Sequence, residues 1–522
     1  MRDVSKTCAA VMRDHPLATV LVLGSAVRLI LMPTLTFNID MTYWVKISEM
    51  VGAGFGLYDV TGYYYTPVWG YVVALFTFLG ELLGITDMAA LVPEFAQYLS
   101  RDYPMAAYAV SPAYAVMMKI PLVLTDVAVA FMLYHLVKDI TDDDRKGVWA
   151  FALWYLCPLT IMESSIHGMF DCMSAMSILA SFIFLRRKEY LIAGVAFSVA
   201  VLTKFFPIYL IFFLCAYVLR EEGLDRNGLG ALTRSVLGAI AALIVIQIPA
   251  FINGQFWESL FFLTDRIGVS TDFLNGITSP RMIPFLIAGA VVLCLILWYF
   301  HRRTEGAYIG RIISMDPGRR DRFVIRSLLV LGAIATVGVI AYTMISIAGS
   351  PSNRALDTMS ALGFKAVMLL SIYTILLEIY LAQRLLFSDR ENGYCTYTIL
   401  FLSSMVIFLW PPLPQYVVVA IPFMIVYAIV VSERMIRPFM IFSVSMTAYE
   451  CVLGNVTALL PIAVYTDLVP LDVVLAAVDV LAGYIGDMPV IGIPILVASA
   501  VAFLSLLNML RHWYNETGGR MI

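Results

Sequence analysis

Asp40 stands two residues after Asn38 in the stretch TFNIDMTYW, which follows the first long apolar run of the chain. A carboxylate at a membrane surface among apolar and aromatic neighbours can act as a general base, or clamp a substrate hydroxyl, once burial tunes its pKa. The plainer reading is a solvated loop acid. HGMFD, 167–171, joins His167 and Asp171 between two apolar runs. No third ligand lies nearby in sequence, so polar contacts to a substrate are expected there and a metal is not. LTKFFP places Lys204 inside an otherwise apolar run from 190 to 219. A charge at that depth is costly, and it either snorkels to the interface or meets a partner such as a lipid-borne phosphate. Arg266, in LTDRIG, is a second candidate cation, unless it only closes a surface turn with Asp265. YYYTP, 63–67, contributes Tyr63 and Tyr65, which fit an interfacial aromatic belt and can also line a substrate groove. Gln415 and Tyr416 open a late apolar run after a Pro-rich turn, and Lys119 lies within the second run. These are the remaining candidate substrate contacts.

The elements that must position these groups are membrane helices. Of 522 residues, 61% are hydrophobic and only 14% charged, against about 25% charged in soluble domains. Mean hydropathy is +0.87. The chain therefore reads as a polytopic, all-α membrane bundle of about 13–14 transmembrane helices. Net charge of −3 gives no hint of nucleic acid, and the seven cysteines, with no C-x-x-C pair, read as buried apolar residues. Spans are expected near 17–34, 113–137, 147–165, 172–186, 190–203, 205–220, 235–252, 283–300, 327–348, 361–382, 395–410, 416–431, 438–457 and 489–510. Arg2, Lys6 and Arg13 before the first span, and the basic loops at 186–189, 220–234, 301–326 and 431–437, set the cytoplasmic side. Counting VWGYVVALFTFLGELLG, 68–84, as a span would invert every later loop. It is placed instead in a long first outer loop, 35–112, as a helix in the outer leaflet. The candidate residues named above then gather on the outer face.

The order of these blocks resembles the catalytic subunit of GPI mannosyltransferase I and, more broadly, the GT-C superfamily of glycosyltransferases. The blocks are Asn38-Ile39-Asp40 for an acidic D-x-D-type motif, then GFGLYDV, then Tyr63-Tyr64-Tyr65-Thr66-Pro67. After them come an Asp in the next span, here Asp126, then WYLCP, SSIHGMFD, TKFFP and LPQY. The resemblance runs from about residue 17 to about residue 430. Asn38 stands where the family carries an acid, which argues against a two-carboxylate metal site, and Cys157 stands where the family has Asn.

The resemblance implies a GT-C fold with a catalytic module over 1–300, including outer loops 35–112 and 253–282, and a variable transmembrane module over 301–522. It implies an inverting transfer of one sugar from a polyprenyl- or dolichyl-phosphate donor to a glycan, glycolipid or protein acceptor. Mannose is the expected sugar, with glucose, galactose and a pentose left open. Asp40 would be the base, and Lys204 and Arg266 would hold the donor phosphate without a metal or other cofactor. The expected partners are that donor, its acceptor, membrane lipids and a small accessory membrane subunit. The expected location is a prokaryotic cell membrane, with the endoplasmic reticulum as the alternative, and the site faces outward. Two rivals stand beside the enzyme: a lipid-linked sugar flippase or transporter, and a structural partner subunit lacking catalysis.

Overall fold

The computed structural model describes residues 14–59, 63–96, 108–259, 382, 414–454, 457–466, 468–477, 497–502, 504–509 and 511–512. The spans expected at 283–300, 327–348 and 395–410, nearly all of 361–382, and the module boundary at 300 lie outside the described residues.

The chain is an all-α, multi-pass membrane bundle. Among the described residues four helices are long and apolar enough to cross a bilayer: Pro16–Thr34, Pro112–Thr141, Arg226–Ile252 and Pro414–Val431. We label the elements that position the site as follows. Helix α1 is Pro16–Thr34, α2 is Asn38–Gly52, α3 is Pro67–Leu82, and α4 is Pro112–Thr141. Then come α5 (Asp144–Tyr155), α6 (Asp171–Arg186), α7 (Tyr190–Thr203), α8 (Ile211–Glu222) and α9 (Arg226–Ile252). Beyond the undescribed stretch, α10 runs from Pro414 to Val431 with 3-10 and π turns inside it, and α11 is Ile436–Gly454.

Local chemistry sets these boundaries. Ser111 caps α4 by accepting from the Tyr114 amide at 3.2 Å, with Pro112 at the first helical position. Asp225 caps α9 by accepting from the amides of Asn227 and Gly228. The expected span 147–165 is broken. Helix α5 stops at Tyr155, the chain turns before Pro158, and a short helix leads into a π turn, Met162–His167. The expected span 205–220 likewise begins with a 3-10 turn, Phe206–Leu210, because Pro207 has no N–H for a helical ladder. The segment expected as the first outer loop, 35–112, holds α2 and α3. It also holds a short antiparallel pair, β1 (Ala89–Leu91) with β2 (Tyr108–Val110), which the all-α reading did not foresee.

Helices α7 and α9 pack backbone to backbone. A Cβ on Gly194 would sit 1.8 Å from the Ser235 carbonyl oxygen, and one on Gly238 would sit 2.0 Å from that of Leu191. Small residues are how membrane helices approach this closely, because lipid supplies no hydrophobic drive for their association. Helices α2 and α3 are fixed to the bundle by aromatic rings. Trp44 of α2 meets Trp69 of α3 edge-on at 5.5 Å, and Trp69 stacks on Phe170 at 5.1 Å.

The centre of the bundle holds a fully buried ion pair. Arg28 of α1 donates from Nε and Nη2 to Asp126 Oδ2 of α4 at 3.1 and 2.9 Å, and both side chains are 0% exposed. Its Nη1 reaches the Tyr155 carbonyl at 2.6 Å, and the guanidinium lies 4.2 Å from the Tyr155 ring centroid. Trp154 donates from Nε1 to the Asp126 carbonyl at 3.1 Å. One side chain thus ties α1, α4 and α5 together. Removing one partner of such a pair strands the other charge, at a cost of about 3–5 kcal/mol, whereas removing both can be nearly neutral. Arg28→Met is therefore expected to lower the thermal unfolding midpoint in detergent sharply, and Arg28→Met with Asp126→Leu to recover most of that loss. A single variant as stable as wild type would refute the central role of the pair.

Candidate functional site

The polar candidates converge where α1 ends. The segment after α1 is held to the π turn by backbone bonds, with the Phe37 amide donating to the Ile166 carbonyl at 3.0 Å. The Thr36 amide donates to the Ala458 carbonyl at 3.1 Å, beyond the end of α11. This places Asp40, in the first turn of α2, beside His167, the last residue of the π turn. Asp40 Oδ2 lies 2.5 Å from His167 Nε2.

The other ring nitrogen of His167 faces two further carboxylates. Nδ1 lies 3.1 Å from Glu163 Oε2 and 3.1 Å from Glu450 Oε1 of α11. His167, Glu163 and Glu450 are all buried, whereas the Asp40 side chain is 28% exposed. Burial works to lower the His167 pKa, but Glu163 and Asp40 beside it raise it well above the ordinary imidazole value. The π turn is closed by the Gly168 amide donating to the Glu163 carbonyl at 2.9 Å, and π turns recur at functional sites. Gly168 has φ of 75°, and a Cβ there would lie 2.4 Å from Met41 Sδ, so the turn requires glycine on both counts.

Lys204 and Asp171 form the neighbouring unit. Lys204 Nζ donates to Asp171 Oδ2 at 2.9 Å, with the side chains 5% and 0% exposed. Three rings surround the ammonium: Phe170 at 4.5 Å, Tyr416 at 5.0 Å and Tyr65 at 5.4 Å from centroid to Nζ. The charge expected to seek a lipid phosphate thus already has a partner inside the protein.

Other candidates are also tied into the scaffold. Lys119 is fully buried and donates to the Met32 carbonyl at 3.1 Å, the Leu35 carbonyl at 2.8 Å and Thr36 Oγ1 at 3.0 Å. Those three bonds use every donor of the ammonium and satisfy carbonyls at the C-terminal end of α1. Asn38 holds β2, donating from Nδ2 to the Tyr108 carbonyl and accepting from the Val110 amide at 3.2 Å. Tyr63 donates its hydroxyl to the Thr66 carbonyl at 3.0 Å, the Tyr65 carbonyl accepts from Tyr58 at 3.0 Å, and Gln415 is buried. Arg266 lies outside the described residues.

The structure therefore brings together Asp40, His167, Asp171, Lys204, Tyr65 and Tyr416 in two adjoining units. Glu163, Glu450 and Arg28 had not been singled out in the sequence. Glu163 carried a usable signal, an acid four residues before His167 in MESSIH. Glu450 carried none, as it lies alone in a late apolar run.

The pairing makes a stability prediction. Lys204→Ala strands the Asp171 carboxylate and is expected to destabilise the folded protein by about 3–5 kcal/mol, with Asp171→Asn in the same chain restoring much of it. Thermal unfolding of the wild type and these two variants in one detergent checks this. A Lys204→Ala chain as stable as wild type would mean that the pair contributes little.

A family model described as GPI transamidase subunit PIG-U matches residues 30–280, just under half of the chain. The matched stretch contains Asp40, the outer loop, the π turn and the Lys204–Asp171 pair. No curated protein matches the chain. The match corrects the sequence reading on its main point. It is to a subunit of a GPI transamidase, with no support for a GPI mannosyltransferase, a GT-C glycosyltransferase or a lipid-linked sugar flippase. The sugar donor and acceptor expected as partners and the prokaryotic membrane are likewise unsupported. The multi-pass membrane character stands, and what this chain is similar to is a membrane subunit of a GPI transamidase.

Proposed function

We propose that this chain is a non-catalytic, multi-pass subunit of a GPI transamidase-type complex in the endoplasmic reticulum membrane. Its part would be to hold and orient other components while the transamidation itself occurs elsewhere in the assembly. The observation that carries this reading is the family match over residues 30–280. The geometry agrees with it. Lys204, expected to hold a sugar-phosphate donor, is engaged by Asp171, and Lys119, a further candidate substrate contact, is engaged by the end of α1. Asn38, in the acidic-motif position, pins a strand. Groups satisfied in this way build shape, and a buried ion pair would have to break before either member served a substrate. Of the readings open from the sequence, the family match supports the structural partner subunit. The lipid-facing apolar surface of α9, with Leu237, Ile244, Val245 and Phe251 exposed, suits a chain embedded in bilayer or against another membrane helix.

The test is depletion of this chain in cells that display a GPI-anchored reporter. A transamidase subunit predicts loss of surface reporter, accumulation of unprocessed reporter precursor and a complete GPI glycolipid. It also predicts that tagged chain purified in mild detergent brings other membrane subunits with it. A truncated glycolipid, lacking a sugar, would overturn the proposal, as would normal anchoring.

A further inference from the structure

The buried charges of Arg28, Asp126, Lys204, Asp171 and Lys119 each have a counter-charge or a set of acceptors. Arg28 neutralises Asp126, Lys204 neutralises Asp171, and Lys119 is saturated by oxygen acceptors. Glu163 does not follow this pattern. It is 0% exposed, and neither of its carboxylate oxygens has a hydrogen-bond partner. Among the described residues neither Glu163 nor Asp40 forms an ion pair with Lys or Arg. Among the described residues, Arg28, Lys119 and Lys204 are already committed.

The orientation of His167 sharpens the point. Asp40 accepts from Nε2, so a neutral ring carries its lone pair on Nδ1. Nδ1 lies 3.1 Å from Glu163 and 3.1 Å from Glu450, yet makes no hydrogen bond in either direction. A nitrogen lone pair and the unbonded Glu163 carboxylate repel one another, with the charge of Glu450 beside them, unless a cation lies among them. The two 3.1 Å separations from Nδ1 suit one. Metal bonds of about 2.0–2.1 Å put neighbouring tetrahedral ligand atoms roughly 3.3 Å apart and octahedral ones roughly 2.9 Å apart. The three groups present ligand atoms that all lie within 4.8 Å of one another. A carboxylate on the far ring nitrogen is the usual support of a metal-bound histidine, because it fixes the tautomer and raises ligand basicity.

We infer that Glu163, His167 Nδ1 and Glu450 form a binding site for one divalent ion of the zinc or manganese type, with Asp40 orienting the imidazole. One imidazole with two carboxylates is a donor set these ions accept. The ion clamps α11 to the π turn and, through His167 and Asp40, to α2. These segments lie far apart in sequence, and the ion would offset the charge that Glu163 otherwise buries. This assignment reverses the expectation of no metal drawn from the sequence, and it stands whether or not the chain acts in a transamidase.

The test uses the full-length chain in detergent, with any co-purifying subunits, stripped by chelator and dialysed against Zn²⁺ or Mn²⁺ alone. Elemental mass spectrometry is expected to find one ion retained per chain, and Co²⁺ in its place to give visible d–d absorption. Glu163→Gln and His167→Gln should each cut metal affinity by about tenfold or more, and Asp40→Asn by about 10–100-fold as an outer-shell change. If Glu163→Gln does not fold, Asp40→Asn carries the comparison, since Asp40 is partly exposed and sits on the far nitrogen. The competing occupant of the cluster is a proton, which makes His167 an imidazolium. In that case wild type retains neither ion at saturation, or retains the same amount as the folded variants, and either result overturns the assignment.

Discussion

A charge placed among apolar helices must find a counter-charge or a set of hydrogen-bond acceptors within the protein, and much of the described part of this bundle is organised by that constraint. Arg28 and Asp126 satisfy it across α1 and α4 with both side chains fully buried. The pair reaches α5 as well, through the Tyr155 carbonyl and the Trp154 indole. Lys119 satisfies the same constraint in another way, by giving all its donors to the frayed end of α1. Its three bonds fix where α1 ends, and the segment that follows delivers Asp40 to the π turn. The position of the polar cluster is thus a consequence of how two buried cations are satisfied.

The same constraint explains why a reading of residue types overestimated their availability. Lys204 inside an apolar run is rightly conspicuous, since membrane insertion makes it expensive. Its partner is Asp171, thirty-three residues earlier in the chain, and only folding brings the two together. The motif Asp of the fourth helix is likewise the counter-charge of Arg28. The block order that suggested a glycosyltransferase is compatible with a scaffold in which these residues serve as struts. A match to a GPI transamidase subunit over 30–280 fits that use of them.

Much of the architecture was legible. Apolar run length located α1, α4 and α10 closely and the C-terminal two thirds of α9, because a bilayer demands about twenty apolar residues and little else. What escaped was irregular backbone. Pro158 and Pro207 interrupt expected spans, and the helix break at Cys157 is followed by the π turn that aims His167. The β1–β2 pair was hidden because three-residue strands have too little pattern to register. Of the site, Asp40, His167, Asp171 and Lys204 were visible as isolated polar residues. Their pairing was not, and Glu450 could not be, since its contact with His167 spans more than half the chain.

The π turn carries a consequence for how this region can change. Its extra residue offsets everything after Met162 by one position relative to a continuous α-helix. A deletion of one residue between 162 and 167 would restore regular helix and swing the imidazole about 100° around the axis. Point substitutions there alter one contact each, but that single-codon loss would disconnect Asp40 and Glu450 from the ring together. Length variation in this short window is therefore a sharper genetic marker of whether the cluster is retained than the identity of any one of its residues.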